Sequence, residues 1–187
     1  MIVRARLCLL VFAGALAAPV LGEPPRPMPA TGTVQAAFSP WDDAEGLLVD
    51  AIRRARREIR VQAFSFTSRR VATALIAARR RGVDVRVIAD AEQASSGEST
   101  RLADLVAGGV PVLLDGVYRS AHSKVMIIDG LSAEPAVVTG SYNWTYAAQY
   151  RNAENLLVLR GNPALASAYL QNWERHAASA TPWKGAP

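Results

Sequence analysis

The sequence is poor in the residues that usually bind metals or form covalent cross-links. Its 187 residues include one cysteine, Cys8, in an apolar N-terminal segment, and two histidines, His122 and His176. A mature chain without that segment has no disulfide, thiol nucleophile or thiolate metal site. Two histidines are also too few for a histidine-rich metal centre. We therefore expect no metal and no cofactor, so any hydrolysis must rely on the protein's own side chains.

The N-terminal segment has the pattern of an export signal. Arg4 and Arg6 precede an apolar run over residues 7–20, and small residues up to Gly22 offer cleavage positions. The run is shorter than the roughly 20 residues of a bilayer span, and Pro19 interrupts it. We expect residues 1–22 to be a signal peptide and the protein to be periplasmic or secreted, without stable membrane insertion once the signal is cleaved. A retained membrane anchor is the alternative.

The mature chain is modestly basic and has the length of one domain. The formal charge is +5, and removing the two leader arginines leaves +3, which suits a polyanionic partner. Residues 23–33 are rich in proline, glycine and threonine and predict a flexible spacer. We expect one domain over residues 34–178 and a C-terminal tail over residues 179–187.

Apolar residues alternate along this domain between strand-like and helical spacing. The alternation predicts an α/β layered fold in which helices flank a mostly parallel central sheet. The polar stretch 90–101 is expected to be a surface loop, with the rim of a cleft as the alternative. Strands are predicted at 34–38, 59–66, 83–89, 110–114, 124–128, 136–139 and 155–159, and helices at 42–57, from the N-cap Ser68 to Gly82, at 100–107 and at 163–177.

One motif carries the side chains for phosphate chemistry. His122 and Lys124 lie two residues apart and hence on one face of a strand, which places a nucleophilic imidazole beside a cation. Attack on a phosphodiester requires that pair, because negative charge builds up on the phosphoryl oxygens. After Gly140, the Ser141 hydroxyl and the Asn143 amide can donate to the same oxygens. The neighbouring backbone amides are expected to open a short helix that favours an anion.

The pattern H-x-K-(x)4-D, from His122 to Asp129, followed by G-S-Y-N resembles the signature of the phospholipase D superfamily. The short G-S-x-N tail resembles a branch of exported bacterial endonucleases with a single motif. The stretches VQAAFSP, IRVQAFSFTS, RRRGVDVRVIAD, GGVPV, NAENLLVL and NPALASAYLQNWE are similar to that branch in order and spacing. The resemblance covers about residues 34–173, nearly all of the mature chain.

The resemblance implies a mechanism without metal, in which one histidine forms a phosphohistidine and a second protonates the leaving oxygen. One copy of the motif then implies a homodimer whose two-fold axis brings two motifs together. His176 is the other candidate for the second histidine, although its place near a helix end needs no such role. Glu154 matches the position of an active-site glutamate and is expected to orient His122.

Several residues keep two interpretations. Asp129 belongs to the signature, but Asp-Gly is also a common turn. Tyr142, Trp144 and Tyr146 are expected to pack rather than to stack on bases, since aromatic rings bury large areas. The arginine-rich runs 53–60 and 79–82 are expected to be solvated helix faces rather than nucleic-acid contacts.

Three functions are open at this point. We expect a metal-independent endonuclease that acts on DNA, RNA or both, without sequence preference, because phosphate contacts carry no sequence information. A phospholipid hydrolase of the phospholipase D type is the second, although no amphipathic basic helix with an aromatic apolar face follows the leader. The third is a nucleic-acid-binding protein of the same fold without turnover, which the filled motif argues against.

Overall fold

The structure is a computed structural model that describes residues 22–96 and 100–185. The signal peptide predicted for residues 1–22 thus lies outside the described residues except for its last position. Within the described ranges no helix is both long and apolar enough to span a membrane.

The chain forms one sheet with helices on both faces, as the alternating pattern predicts. Side chains that accept a hydrogen bond from the first helical turn fix four helix starts, at Asp43, Ser68, Thr145 and Asn162. The strands are β1 (Thr33–Ser39), β2 (Glu58–Ala63), β3 (Asp84–Asp90), β4 (Val112–Asp115), β5 (Lys124–Ile128), β6 (Ala136–Gly140), β7 (Glu154–Arg160) and β8 (Thr181–Trp183). The helices are α1 (Ala44–Arg54), α2 (Arg69–Arg80), α3 (Ala91–Ser96), α4 (Leu102–Ala107), α5 (Tyr146–Tyr150) and α6 (Pro163–Ser179).

The strand order is β1-β7-β6-β5-β2-β3-β4-β8. The expected α/β layered fold is confirmed, but the expectation of a mostly parallel sheet is wrong. Only the β2/β3 and β3/β4 pairs are parallel, and the other five pairs in the described chain are antiparallel. Helical crossovers join the parallel strands, whereas β5, β6 and β7 follow one another through short connections, which favour antiparallel pairing.

Two apolar layers cover the faces of the sheet. On β5 the side chains alternate, because Met126 and Ile128 belong to the larger cluster with α1 and α2. Val125 and Ile127 belong to the smaller cluster, which Trp173 of α6 completes. This period of two is what a strand buried on both faces requires.

The ends of the domain differ from expectation in detail. Residues 22–32 have no regular structure, but Asn162 donates to the carbonyl of Pro29 at 2.8 Å, which attaches the spacer to the domain. Part of the predicted tail forms β8, which pairs with β4 at the sheet edge. The polar stretch expected to be a loop contains the short helix α3, and residues 97–99 lie outside the described ranges.

Candidate active site

The start of β5 and the end of β6 bring the two halves of the motif together. The strands are antiparallel with Val125 opposite Thr139, so the residues before Val125 and after Thr139 meet at the same end of this strand pair. They line an open cleft of about 620 Å³. It contains five of the six predicted catalytic side chains: His122, Lys124, Ser141, Asn143 and Glu154.

His122 is exposed in this cleft and is held through one ring nitrogen. Its Nδ1 lies 2.8 Å from Lys124 Nζ, and its ring stacks at 4.2 Å, between centroids, on Phe64 at the end of β2. Nε2 makes no hydrogen bond within the described chain and is the nitrogen left for a substrate.

Lys124 is a buried cation at the floor of the cleft. Only 7% of the residue is exposed, its Nζ donates to the His122 carbonyl at 2.6 Å, and the ammonium lies 4.7 Å from the Phe64 ring centroid. Burial lowers the pKa of Lys124 below that of an ordinary lysine, and the charge of Glu154 opposes this shift. A bound phosphate would place a second negative charge beside this ammonium.

Ser141 and Asn143 form the second arm of the site. The Ser141 Oγ accepts from the Asn155 backbone N–H at 3.1 Å and from its side-chain amide at 3.3 Å, so its own hydrogen is free to donate. Asn143 Oδ1 is buried without a partner in the described residues. Gly140 permits this turn, because its φ is +149° and a Cβ there would collide with the Asn155 carbonyl. The predicted helix does not begin here, since α5 starts only at Tyr146.

Glu154 lies in the same cleft at the start of β7. Its carboxylate accepts from the Asn152 side chain at 2.9 Å, and no hydrogen bond joins it to His122 within the described residues. The position fits an acceptor for the imidazole, but in this arrangement Lys124 occupies Nδ1 instead. The orienting role of Glu154 therefore stays a prediction.

Asp129 lies outside the cleft, at the opposite end of β5. It is about 17 Å from Lys124 along an extended strand. Its carboxylate accepts from the backbone N–H groups of Arg56 (3.0 Å), Arg57 (2.7 Å) and Glu58 (3.0 Å). Its φ is +52°, a conformation that Asp tolerates in turns. These contacts favour a structural role for Asp129 over a catalytic one.

His176 is paired with a buried carboxylate. Its Nδ1 lies 2.6 Å from Asp115 Oδ2, and Asp115 is fully buried. His176 is not among the residues that line the His122 cleft, so it serves the packing of α6 against β4.

The aromatic residues of the motif divide between packing and exposure. Trp144 is fully buried and donates to the Gln62 carbonyl at 3.1 Å. Tyr142 is also buried, and desolvation together with the charge of Glu45 raises the pKa of its hydroxyl. The predicted packing is thus observed for Trp144 and Tyr142, whereas Tyr146 is exposed.

Sequence reasoning missed two residues of this site. Phe64 contacts both His122 and Lys124, and Tyr169 of α6 lines the cleft. Neither is close to the motif in sequence, and only the pairing of β2 with β5 brings Phe64 beside His122.

Known proteins share both the sequence and the fold. A family model described as "Cardiolipin synthase, PLD-like domain" matches residues 48–177. A phospholipase D of Rickettsia felis is 37% identical over 146 residues, which are 78% of this chain and 70% of that protein. A mitochondrial cardiolipin hydrolase of Xenopus tropicalis is 35% identical over 135 residues, 72% of this chain and 61% of that protein.

Solved structures agree with this match. The crystal structure of Nuc from Salmonella typhimurium, a phospholipase D family member, superposes with a TM-score of 0.76 and 34% identity, covering 82% of this chain and 99% of that one. NucT from Helicobacter pylori has a TM-score of 0.72 at 24% identity, covers 81% and 99%, and shows the shared fold.

Proposed function

The chain belongs to the phospholipase D superfamily and is a phosphodiesterase, and from that premise we propose that it hydrolyses nucleic acid backbones without a metal ion. The covalent intermediate is a phosphohistidine on His122, and two copies of the chain share the site. One arrangement carries this proposal: an exposed imidazole beside a buried ammonium, with hydroxyl and amide groups just after the neighbouring strand β6.

The state of His122 determines how the reaction begins. While the Lys124 ammonium donates to Nδ1, the proton of a neutral ring is on Nε2, which then cannot attack. A phosphate in the cleft draws Lys124 to its oxygens and frees Nδ1. Glu154 can then accept a hydrogen bond from a proton on Nδ1, which leaves the Nε2 lone pair for the phosphorus.

The chemistry then takes two steps. In the first, Nε2 forms a bond to phosphorus, the bond to the leaving oxygen breaks, and the second copy's His122 gives that oxygen a proton. In the second, that imidazole removes a proton from water, the water oxygen attacks phosphorus, and the Nε2–phosphorus bond breaks. Lys124, Ser141 and Asn143 stabilise the charge on the phosphoryl oxygens in both steps.

A nucleic acid fits this site for two reasons. The cleft is open at the sheet edge and His122 is exposed, so a long polymer can reach it without a lid. The chain is also basic, with a formal charge of +5 that becomes +3 without the two leader arginines, and this charge attracts a phosphate backbone of any sequence.

Cleavage of plasmid DNA and of RNA in excess EDTA tests the activity, with His122→Asn beside the wild type. We expect the wild type to degrade nucleic acid in chelator and the variant to lose roughly 10⁴-fold or more of the rate. A strict requirement for added Mg²⁺ would contradict the mechanism.

Phospholipid hydrolysis is the second candidate. The relatives named phospholipase D and cardiolipin hydrolase favour it. Phe38 and Trp41, near the end of β1 that pairs with Glu154, are 51% and 82% exposed and suit a lipid surface. Formation of phosphatidic acid in vesicles of cardiolipin and phosphatidylglycerol, with no cleavage of DNA or RNA, would favour this function.

Subunit mixing tests the shared site. Wild-type and His122→Asn chains are dissociated together and reassociated in known ratios. If each site needs two imidazoles, heterodimers have little activity and the total falls with the square of the wild-type fraction. A linear fall would show that one chain suffices.

We also propose that the protein is exported and that residues 1–22 are removed. N-terminal sequencing of protein recovered from the cell envelope and the medium checks this, and an intact Met1 on exported protein would support a retained anchor.

A further inference from the structure

A second groove lies beside the active site and combines aromatic rings with positive charge. Two exposed tyrosines of α5, Tyr146 (56% exposed) and Tyr150 (54% exposed), pack against each other with centroids 4.5 Å apart and ring planes tilted by 36°. The Arg151 guanidinium lies 5.7 Å from the Tyr146 centroid. We call this surface the tyrosine–arginine groove; its functional side chains are Tyr146, Tyr150, Arg151, Arg69, Arg70 and Arg101.

Folding does not account for the tyrosines. The short helix α5 packs through Ala148 and Gln149, which are buried, and the tyrosines lie on its outer side. The two rings gain only part of the stability that full burial would give, because more than half of each residue's surface stays exposed. Exposed aromatic pairs of this kind are instead typical of surfaces on which nucleic acid bases stack.

The arginines make few close ion pairs within the fold. Arg69 and Arg70 lie in the first turn of α2, which has no acidic residue, although a helix N-terminus disfavours cations. Arg70 reaches Asp43 and Glu45 only at 3.4 and 3.5 Å. Arg101 Nη1 pairs with Asp104 at 3.4 Å, while its Nε is buried without a partner in the described residues. Against four guanidinium groups, the groove contains one carboxylate, Glu45.

The groove lies near the catalytic cleft. Asn143 lines the cleft and Tyr146 follows three residues later, so the two lie within about 10 Å. Thr67, after β2, approaches Tyr146 N at 3.4 Å, and Phe66 pairs with Trp144. The loop after β2 and the loop after β6 thus contact each other. A nucleic acid strand that is cleaved at His122 can run over both loops.

We propose that the tyrosine–arginine groove binds a single nucleic acid strand next to the scissile phosphate, with its bases on Tyr146 and Tyr150 and its phosphates near the arginines. The inference rests on the proposed nuclease function and adds a preference for single strands. Bases in a duplex are already stacked on one another and do not offer their faces to the tyrosines.

The test measures binding without cleavage, in the full chain carrying His122→Asn. Fluorescence anisotropy gives the Kd of a labelled oligothymidine and of a duplex of equal length over a range of salt concentrations. Tyr146→Leu with Tyr150→Leu removes the aromatic faces, and the double Phe variant keeps them. Arg151→Gln removes a charge from the groove. Its matched control is Arg175→Gln, at an exposed position on α6.

We expect the double Leu variant to bind oligothymidine about tenfold or more weakly and the double Phe variant to bind like the parent. Duplex affinity should change less than threefold in both. Arg151→Gln should reduce the slope of log Kd against log salt by about 0.7, the value for one phosphate of a single strand, and Arg175→Gln should leave it unchanged.

Unchanged oligothymidine binding in the double Leu variant would overturn the inference, as would an equal loss of duplex binding. Dissociation of a dimer by the Leu substitutions, seen by light scattering, would mean that a second copy occupies the groove and would also overturn it. Failure of the wild type to cleave DNA or RNA contradicts the proposed function instead, so the two failures are distinguishable.

Discussion

Replacing Asp129 separates the two interpretations of the motif's aspartate. In the structure this carboxylate holds three consecutive backbone N–H groups between α1 and β2, far from the cleft. If that is its whole role, Asp129→Ala should destabilise the protein and leave the chemistry of the folded enzyme intact. A catalytic role predicts the reverse.

The size of the effect follows from the contacts. A hydrogen bond to a charged group contributes about 1.5–3 kcal/mol, and water can replace part of the three lost bonds. Alanine at a φ of +52° adds about 1 kcal/mol, because its Cβ crowds the following carbonyl. We expect Asp129→Ala to reduce the free energy of unfolding by about 4 kcal/mol. Asp129→Asn keeps one acceptor oxygen and tolerates this backbone, so its loss should be about half.

Urea unfolding, followed through the fluorescence of buried Trp144 and Trp173, measures the stability. Turnover of bis(p-nitrophenyl) phosphate at a temperature where both variants are folded measures the chemistry, and kcat should stay within about threefold of wild type. A stability change below about 1 kcal/mol with a hundredfold lower kcat would refute the structural interpretation.

Three further outcomes follow from single side chains. Burial lowers the pKa of Lys124, so the ammonium is lost on the alkaline side at a lower pH than for an ordinary lysine. Glu154→Gln removes the charge that opposes this shift, so the alkaline limb of the pH profile of kcat/KM should move to lower pH. A move to higher pH contradicts the reasoning. His176→Ala removes one hydrogen-bond partner of buried Asp115, which keeps the Val117 N–H, and should cost about 1–3 kcal/mol in urea unfolding, while kcat per folded molecule stays unchanged. Gly140→Ala puts a Cβ against a carbonyl at a positive φ, so thermal unfolding should show a loss of about 1–3 kcal/mol and phosphodiesterase assays a raised KM.

Local patterns were enough to locate most of the elements and the motif. The apolar run of β5 and the cap at Ser68 depend on residues that are close in sequence, and the structure has both the strand at 124–128 and the cap where they were predicted. The motif's two halves are joined by a short connection, so their meeting at one sheet edge also followed from local spacing.

Contacts between distant segments were not predictable in this way. The direction of β5 relative to β2 depends on how the whole sheet assembles, and the expectation of a mostly parallel sheet failed there. The same pairing determines that Phe64 supports His122. The partner of His176, Asp115, is 61 residues away in sequence, and no periodic pattern marks it.

The pairing of His176 bears on the proposed dimer. The sequence contains two histidines, and the proposed reaction uses two imidazoles at one phosphorus. His176 already holds the buried Asp115 carboxylate and lies outside the residues that line the cleft. Moving it there would remove a hydrogen-bond partner from that buried side chain, at a cost of about 1–3 kcal/mol. We therefore propose that the second imidazole is the exposed His122 of another copy. The two-fold axis of such a dimer would pass beside the open cleft.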